Sequence, residues 1–139
     1  MRSDFSNENS SSFLNETFLS PNHTEVHVAD VTLNAVQDVG GVHIMKAVDK
    51  TFTLPAVAVG VQYTLVLGID LGDSEYMRIA PNASDKFIGG CNNAAGTDNK
   101  YLGVTGAKKG ACLKLEYGSA DGWFIVYQST GNGTWAHES

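Results

Sequence analysis

Basic residues are scarce in this 139-residue chain: nine Lys and Arg stand against fifteen Asp and Glu, for a formal net charge of −6. Phosphate backbones are held by clustered Lys and Arg. The single basic doublet, Lys108-Lys109, is too small for that role, so no nucleic-acid partner is expected. Long apolar runs are missing as well. No window approaches the roughly 18–20 apolar residues that a membrane-spanning helix needs, and no membrane partner is expected. The opening residues, MRSDFSNENSSSF, lack the apolar segment of a secretory signal. The Asn-x-Ser/Thr triplets at Asn9, Asn15, Asn22, Asn82 and Asn132 are therefore read as turn and loop chemistry rather than as glycan sites. Cysteine is limited to Cys91 and Cys112, too few for a disulfide framework. They could pair if their strands are neighbours, but they are read as two buried free thiols of a protein assembled inside a cell.

What is present favours strands. Forty-two per cent apolar residues and fifteen glycines fit one folded, β-rich domain, and the length suffices for one hydrophobic core. The chain is organised around KTFTLPAVAVGVQYTLVLGID, residues 50–70. Thr51, Phe52, Thr53 and Leu54 form a β-prone run closed by Pro55, which has no N–H to give a ladder. Residues 61–69 then alternate, with Val61, Tyr63, Leu65, Leu67 and Ile69 on one face. The two runs read as a hairpin, with the second near the middle of the core.

Further strands follow at turn spacings of eight to twelve residues, the rhythm of a sandwich or barrel. Val26, Val28, Val31 and Leu33 suggest a first strand whose alternation slips by one near Ala29-Asp30. Others are expected at 42–46, 75–80, 86–90, 101–104, 111–117, 123–128 and 134–136. The Gly118 to Gly122 stretch reads as a hairpin loop, and 89–100 as the longest polar loop. The expected fold is all-β: a single compact β-sandwich or barrel, jelly-roll-like, over 25–139, preceded by an extended polar arm over 1–24.

The arm is a different material. Ser and Asn dominate, with Phe5, Phe13, Leu14, Phe18 and Leu19 as its apolar residues. Burying those five would gain about 1.5–3 kcal/mol each, against about 1–2 kcal/mol per residue to order the backbone. The arm alone loses that contest, so it is expected to lie on a partner, with packing along its own domain as the alternative. Extended, it reaches on the order of 80 Å.

A search for chemistry finds little. Four histidines occur, at His23, His27, His43 and His137, without an HxxxH helix motif or zinc-spaced cysteines. His27 and His43 could face each other on adjacent strands, but two histidines without a third ligand make a poor metal case, so no metal or other cofactor is expected. No GxSxG elbow is present. Cys91, after Gly89-Gly90, has no neighbour in sequence to lower its pKa. Asp70, Asp73 and Glu75 could serve glycoside hydrolysis or calcium, yet a solvated turn explains them more simply. The glycines of Gly103-Val104-Thr105-Gly106 do not join a strand to a helix, so they form no phosphate cradle. No enzyme is expected. Trp123 reads as core, and Trp135 as either a lid on the core or a surface contact.

The segments TFTLPAVAVGVQYTLVLG, MRIAPNASDKFIGG and KKGACLKLEYGSADGWFIVYQSTGNGTWA, in that order, resemble a small β-domain of tailed-bacteriophage virion proteins. The positions that carry the resemblance are Thr53-Leu54-Pro55, Gly60, Tyr63, Ile79-Ala80-Pro81, Asp85, Ile88, Gly89, Gly110, Leu115, Gly122-Trp123, Gly133 and Trp135. They cover the domain and leave the arm out. The family occurs as capsid decoration (cement) proteins and as modules of tail or fibre proteins; a short chain with an arm is most like the former. The resemblance implies a homotrimer on the outer surface of the virion capsid, bound to the major capsid protein and stabilising the head. Phe5, Phe13, Leu14, Phe18 and Leu19 would then anchor the arm. The rival expectation is a head-fibre or tail-associated module binding glycans of the host surface through Tyr76, Tyr101, Tyr117, Trp135 and the 91–99 loop.

Overall fold

A computed structural model describes residues 23–83, 85–89, 101–119 and 122–138. The anchors proposed for the arm (Phe5, Phe13, Leu14, Phe18, Leu19), together with Cys91 and the 91–99 loop, lie outside the described residues. The rest is all-β, in eleven strands: β1 (Thr24–His27), β2 (Val31–Thr32), β3 (Val42–Met45), β4 (Lys50–Thr53), β5 (Gln62–Leu67), β6 (Tyr76–Ala80), β7 (Phe87–Ile88), β8 (Leu102–Thr105), β9 (Cys112–Ser119), β10 (Gly122–Ser129) and β11 (Thr134–His137).

Two sheets form. One runs β1-β3-β5-β9-β10-β7, the other β11-β8-β6-β4-β2. The first six strands alternate between them, so β1–β2, β3–β4 and β5–β6 are three successive coils. Each coil stacks in parallel on the one before, β1 on β3 on β5 in one sheet and β2 on β4 on β6 in the other. Strands β8 to β11 then close the sheets with antiparallel ladders.

This topology overturns the expected hairpin at 50–69. β4 and β5 lie in different sheets, because the connection between them is an arch of eight residues, long enough to cross a sandwich about 10 Å thick. The arch is fixed at both ends: Leu54 N–H donates to the Ala80 carbonyl and Gly60 N–H to the Tyr117 carbonyl. The slip at Ala29-Asp30 has the same origin. It marks the place where the chain leaves β1 and crosses to β2, so the one expected strand is two. Within the sandwich the ladders are mixed, five parallel and four antiparallel, whereas a jelly roll is built from antiparallel ones. The hairpin at Gly118–Gly122 is present as expected, joining β9 to β10.

The core lies between the sheets. Tyr63, Leu65 and Leu67 of β5 are fully buried, and β5 sits third in its six-stranded sheet, so the expected central strand is central. Leu113, Leu115 and Trp123 continue that layer. Phe52, Met77, Ile79, Leu102 and Val104 face it from the other sheet. Trp135 of β11 is 2% exposed and donates its indole N–H to the Ser129 carbonyl at 2.9 Å. Of the two roles open to it, it takes that of the lid on the core, not that of a surface contact.

Candidate functional site

The densest group of chemistry-bearing side chains stands on the edge strand β1. Strand alternation puts His23, Glu25 and His27 on one side of the chain, and the parallel register pairs Glu25 with His43 and His27 with Met45. The side is the inward one: His43 is fully buried, and the His27 ring meets Phe52 of the opposite sheet edge-on at 5.6 Å. His27 Nε2 lies 3.2 Å from His43 Nδ1. Glu25 Oε1 stands 3.8 Å from the former, 3.7 Å from the latter and 3.5 Å from His23 Nε2. The two imidazoles of His27 and His43 stack at 5.4 Å.

The backbone around the cluster holds it in place. Val42 N–H donates to the His23 carbonyl and Lys46 N–H to that of His27, both at 2.8 Å. Gly41 is a close approach: a Cβ there would meet the His23 carbonyl oxygen at 2.9 Å. His43 Nε2 lies 3.1 Å from the Asp38 main-chain carbonyl. A carbonyl only accepts, so Nε2 carries the hydrogen and Nδ1 keeps its lone pair, facing His27 and Glu25. Burial holds the His27 imidazole below its ordinary range; Glu25 opposes this and His43 adds to it.

The sequence anticipated that His27 and His43 face each other but missed the third group. Its signal was His-x-Glu-x-His over 23–27, which puts three ligand atoms on one side only when read at strand period. A search at helical spacing passes over it.

A second feature lies on the outer face of the five-stranded sheet. The Arg78 guanidinium sits between two rings, 3.7 Å from the Tyr76 centroid and 4.2 Å from that of Tyr101. Its cross-strand partner is Gly103, where a Cβ would already be 3.3 Å from Arg78 Cγ, so glycine leaves the guanidinium its berth. These residues line an open cavity of about 330 Å³ together with Thr105, His137 and Glu138. Both ring nitrogens of His137 are buried without a hydrogen-bond partner among the described residues.

Of the residues expected to contact glycans, Tyr76 and Tyr101 therefore come together. Tyr117 does not join them: it belongs to the other sheet, packs edge-on against Trp123 at 5.2 Å and donates to Asp85 at 3.2 Å. Trp135 is buried beneath the cavity's sheet. The acidic turn is structural in two of its members. Asp70 accepts from the Lys109 backbone N–H at 2.9 Å and Glu75 from that of Gly72 at 2.7 Å. Cys112 is a free, half-buried thiol whose pKa burial raises, the opposite of an activated nucleophile.

No protein-family model matches the sequence, and no curated protein is similar to it.

Proposed function

We propose that this chain is a capsid decoration protein of a tailed bacteriophage, a non-enzymatic homotrimer that binds the major capsid protein on the outside of the virion and stabilises the head. The observation that carries the reading is the outer edge of β1, which no strand covers among the described residues. This strand directly follows the phenylalanine-bearing arm, its only ladder among the described residues is to β3, and it exposes Val26 by 55%, with Val28 just beyond it exposed by 68%. An unpaired edge offers main-chain N–H and C=O groups to an added strand. Arm and edge together would make one extended contact across neighbouring capsid subunits.

The resemblance in sequence supports the same reading through the places its positions occupy. Leu54, Tyr63, Ile79, Leu115, Trp123 and Trp135 are buried, and Gly60, Gly89, Gly110 and Gly122 have positive φ. They are scaffold positions, which is what a shared domain with variable partners would keep. Such a protein acts by mass action: binding only the assembled lattice, it stabilises that state by its binding free energy.

The test is co-sedimentation with undecorated heads. The full chain is expected to bind saturably and stoichiometrically, and a chain lacking residues 2–20 to lose binding while keeping its fold. Unchanged affinity of the truncated chain would sink the role of the arm.

The Tyr76–Arg78–Tyr101 cavity favours a second reading, a host-surface module that takes a glycan. Aromatic faces suit sugar rings, and Thr105 and Glu138 in the cavity lining offer polar partners. A glycan array separates the two: binding abolished by Tyr101→Ala, with no affinity for heads, would select the host-surface role.

A further inference from the structure

We infer that Glu25, His27 and His43 form a binding site for a divalent first-row transition metal, with zinc the best fit. The argument is geometric and does not depend on the capsid reading. Zinc holds nitrogen and oxygen ligands at about 2.0–2.2 Å in a tetrahedron, whose ligand atoms therefore stand about 3.3–3.6 Å apart. The three ligand atoms of this cluster are separated by 3.2, 3.7 and 3.8 Å. All lie mutually within 4.8 Å, so a small closure of the Glu25 side chain completes the triangle around an ion.

The chemistry of the donors agrees. Two imidazoles and one carboxylate suit zinc and its neighbours, and not the hard, all-oxygen preference of calcium or magnesium. His43 is prepared in the manner of metal-binding histidines generally. Its Nε2–H is spent on the Asp38 carbonyl, which fixes the tautomer and turns the Nδ1 lone pair toward the site. The fourth position falls to water or to His23, whose Nε2 is 3.5 Å from the same Glu25 oxygen and whose ring centre lies 6.1 Å from that of His43.

The consequence is mechanical. Two of the ligands belong to the edge strand β1 and the third to β3, so the ion would rivet the root of the arm to the body of the sandwich.

The experiment uses the full, untagged chain, stripped with EDTA and titrated with zinc chloride in a calorimeter, with metal content measured after dialysis. One zinc per chain is expected. At free zinc a hundredfold above its dissociation constant, the unfolding equilibrium should shift about a hundredfold toward the folded state. Cobalt(II) should give the visible absorption of a low-coordinate site, and calcium should not compete. Glu25→Gln and His27→Gln, each confirmed as folded by circular dichroism, should weaken zinc binding at least tenfold. His43→Gln is a poorer probe, because that side chain is fully buried and its loss threatens the fold. Absence of zinc binding would overturn the inference, as would binding of equal strength in both the Glu25 and His27 variants. Loss of capsid binding with zinc binding intact would overturn only the decoration reading.

Discussion

The Tyr63 hydroxyl donates to the main-chain carbonyl of Asn34 at 2.9 Å, tying the central strand β5 to the turn that follows β2. Burial first, and the nearby Asp38 carboxylate second, push this phenol up to about 12. A folded-state pKa above the unfolded value of about 10 means that the folded chain keeps a proton the unfolded chain has lost. The associated stability is complete below pH 10 and is lost as the pH climbs from there toward 12. Tyr117 is raised too, by burial and by Asp85, and acts in the same direction. Urea midpoints measured from pH 8 to 11.5 should therefore fall steeply above pH 10. Tyr63→Phe should cost about 0.5–1.5 kcal/mol at pH 8 for the lost hydrogen bond and flatten the alkaline decline. An equally steep decline in the variant would show that other groups cause it.

Gly118 and Gly122 flank one hairpin but are not equivalent. A Cβ on Gly118 would come 2.3 Å from the ring of Phe124, a partly exposed side chain that can turn aside. At Gly122, φ is +126° and a Cβ would lie 2.3 Å from the Lys86 carbonyl oxygen, which is backbone. Gly122→Ala should thus cost at least about 2–3 kcal/mol, from strain and from displacement of β10 from the segment before β7. Gly118→Ala should cost less than half as much. Equilibrium denaturation of both variants decides, and equal losses would contradict the assignment of the clash to backbone.

Trp135 has two readings with different readouts. As a lid it supports stability: Trp135→Ala should cost about 3–5 kcal/mol by the cavity it leaves, and Trp135→Phe about 1 kcal/mol through the orphaned Ser129 carbonyl. As a surface contact it would instead weaken binding to heads without changing the denaturation midpoint. Its burial leads us to expect the first pattern.

How much of this was legible in the sequence depends on the range of the interaction concerned. The faces of β5 were readable because burial follows a two-residue period within one strand. The turn at Gly118–Gly122 was readable because its chemistry is local. The partner of each strand was not, since Thr51 to Thr53 alternate in the same way whether the next strand lies beside them or across the core. Only the slip at Ala29-Asp30 hinted at a crossing. The histidine cluster was half legible for the same reason. His-x-Glu-x-His is written in one strand, but His43 reaches Glu25 through a parallel register that no local pattern encodes.

The edge of β1, uncovered among the described residues, yields the sharpest test of the decoration reading. His23 and His27 give their carbonyls to β3, so in a parallel ladder the alternate residues, Val26 among them, turn their N–H and C=O away from it. Proline at 26 therefore removes no bond from the β1–β3 ladder, yet it takes a donor from the edge where a strand would add. Val26→Pro should change stability by no more than about 1 kcal/mol, since Val26 is more than half exposed. If the edge pairs with the capsid, the same variant should lower affinity for undecorated heads at least tenfold. Val26→Thr, which keeps the N–H, should bind as the parent does. Full binding by the proline variant would show that the arm docks without strand addition at β1, leaving its apolar side chains as the whole of the contact.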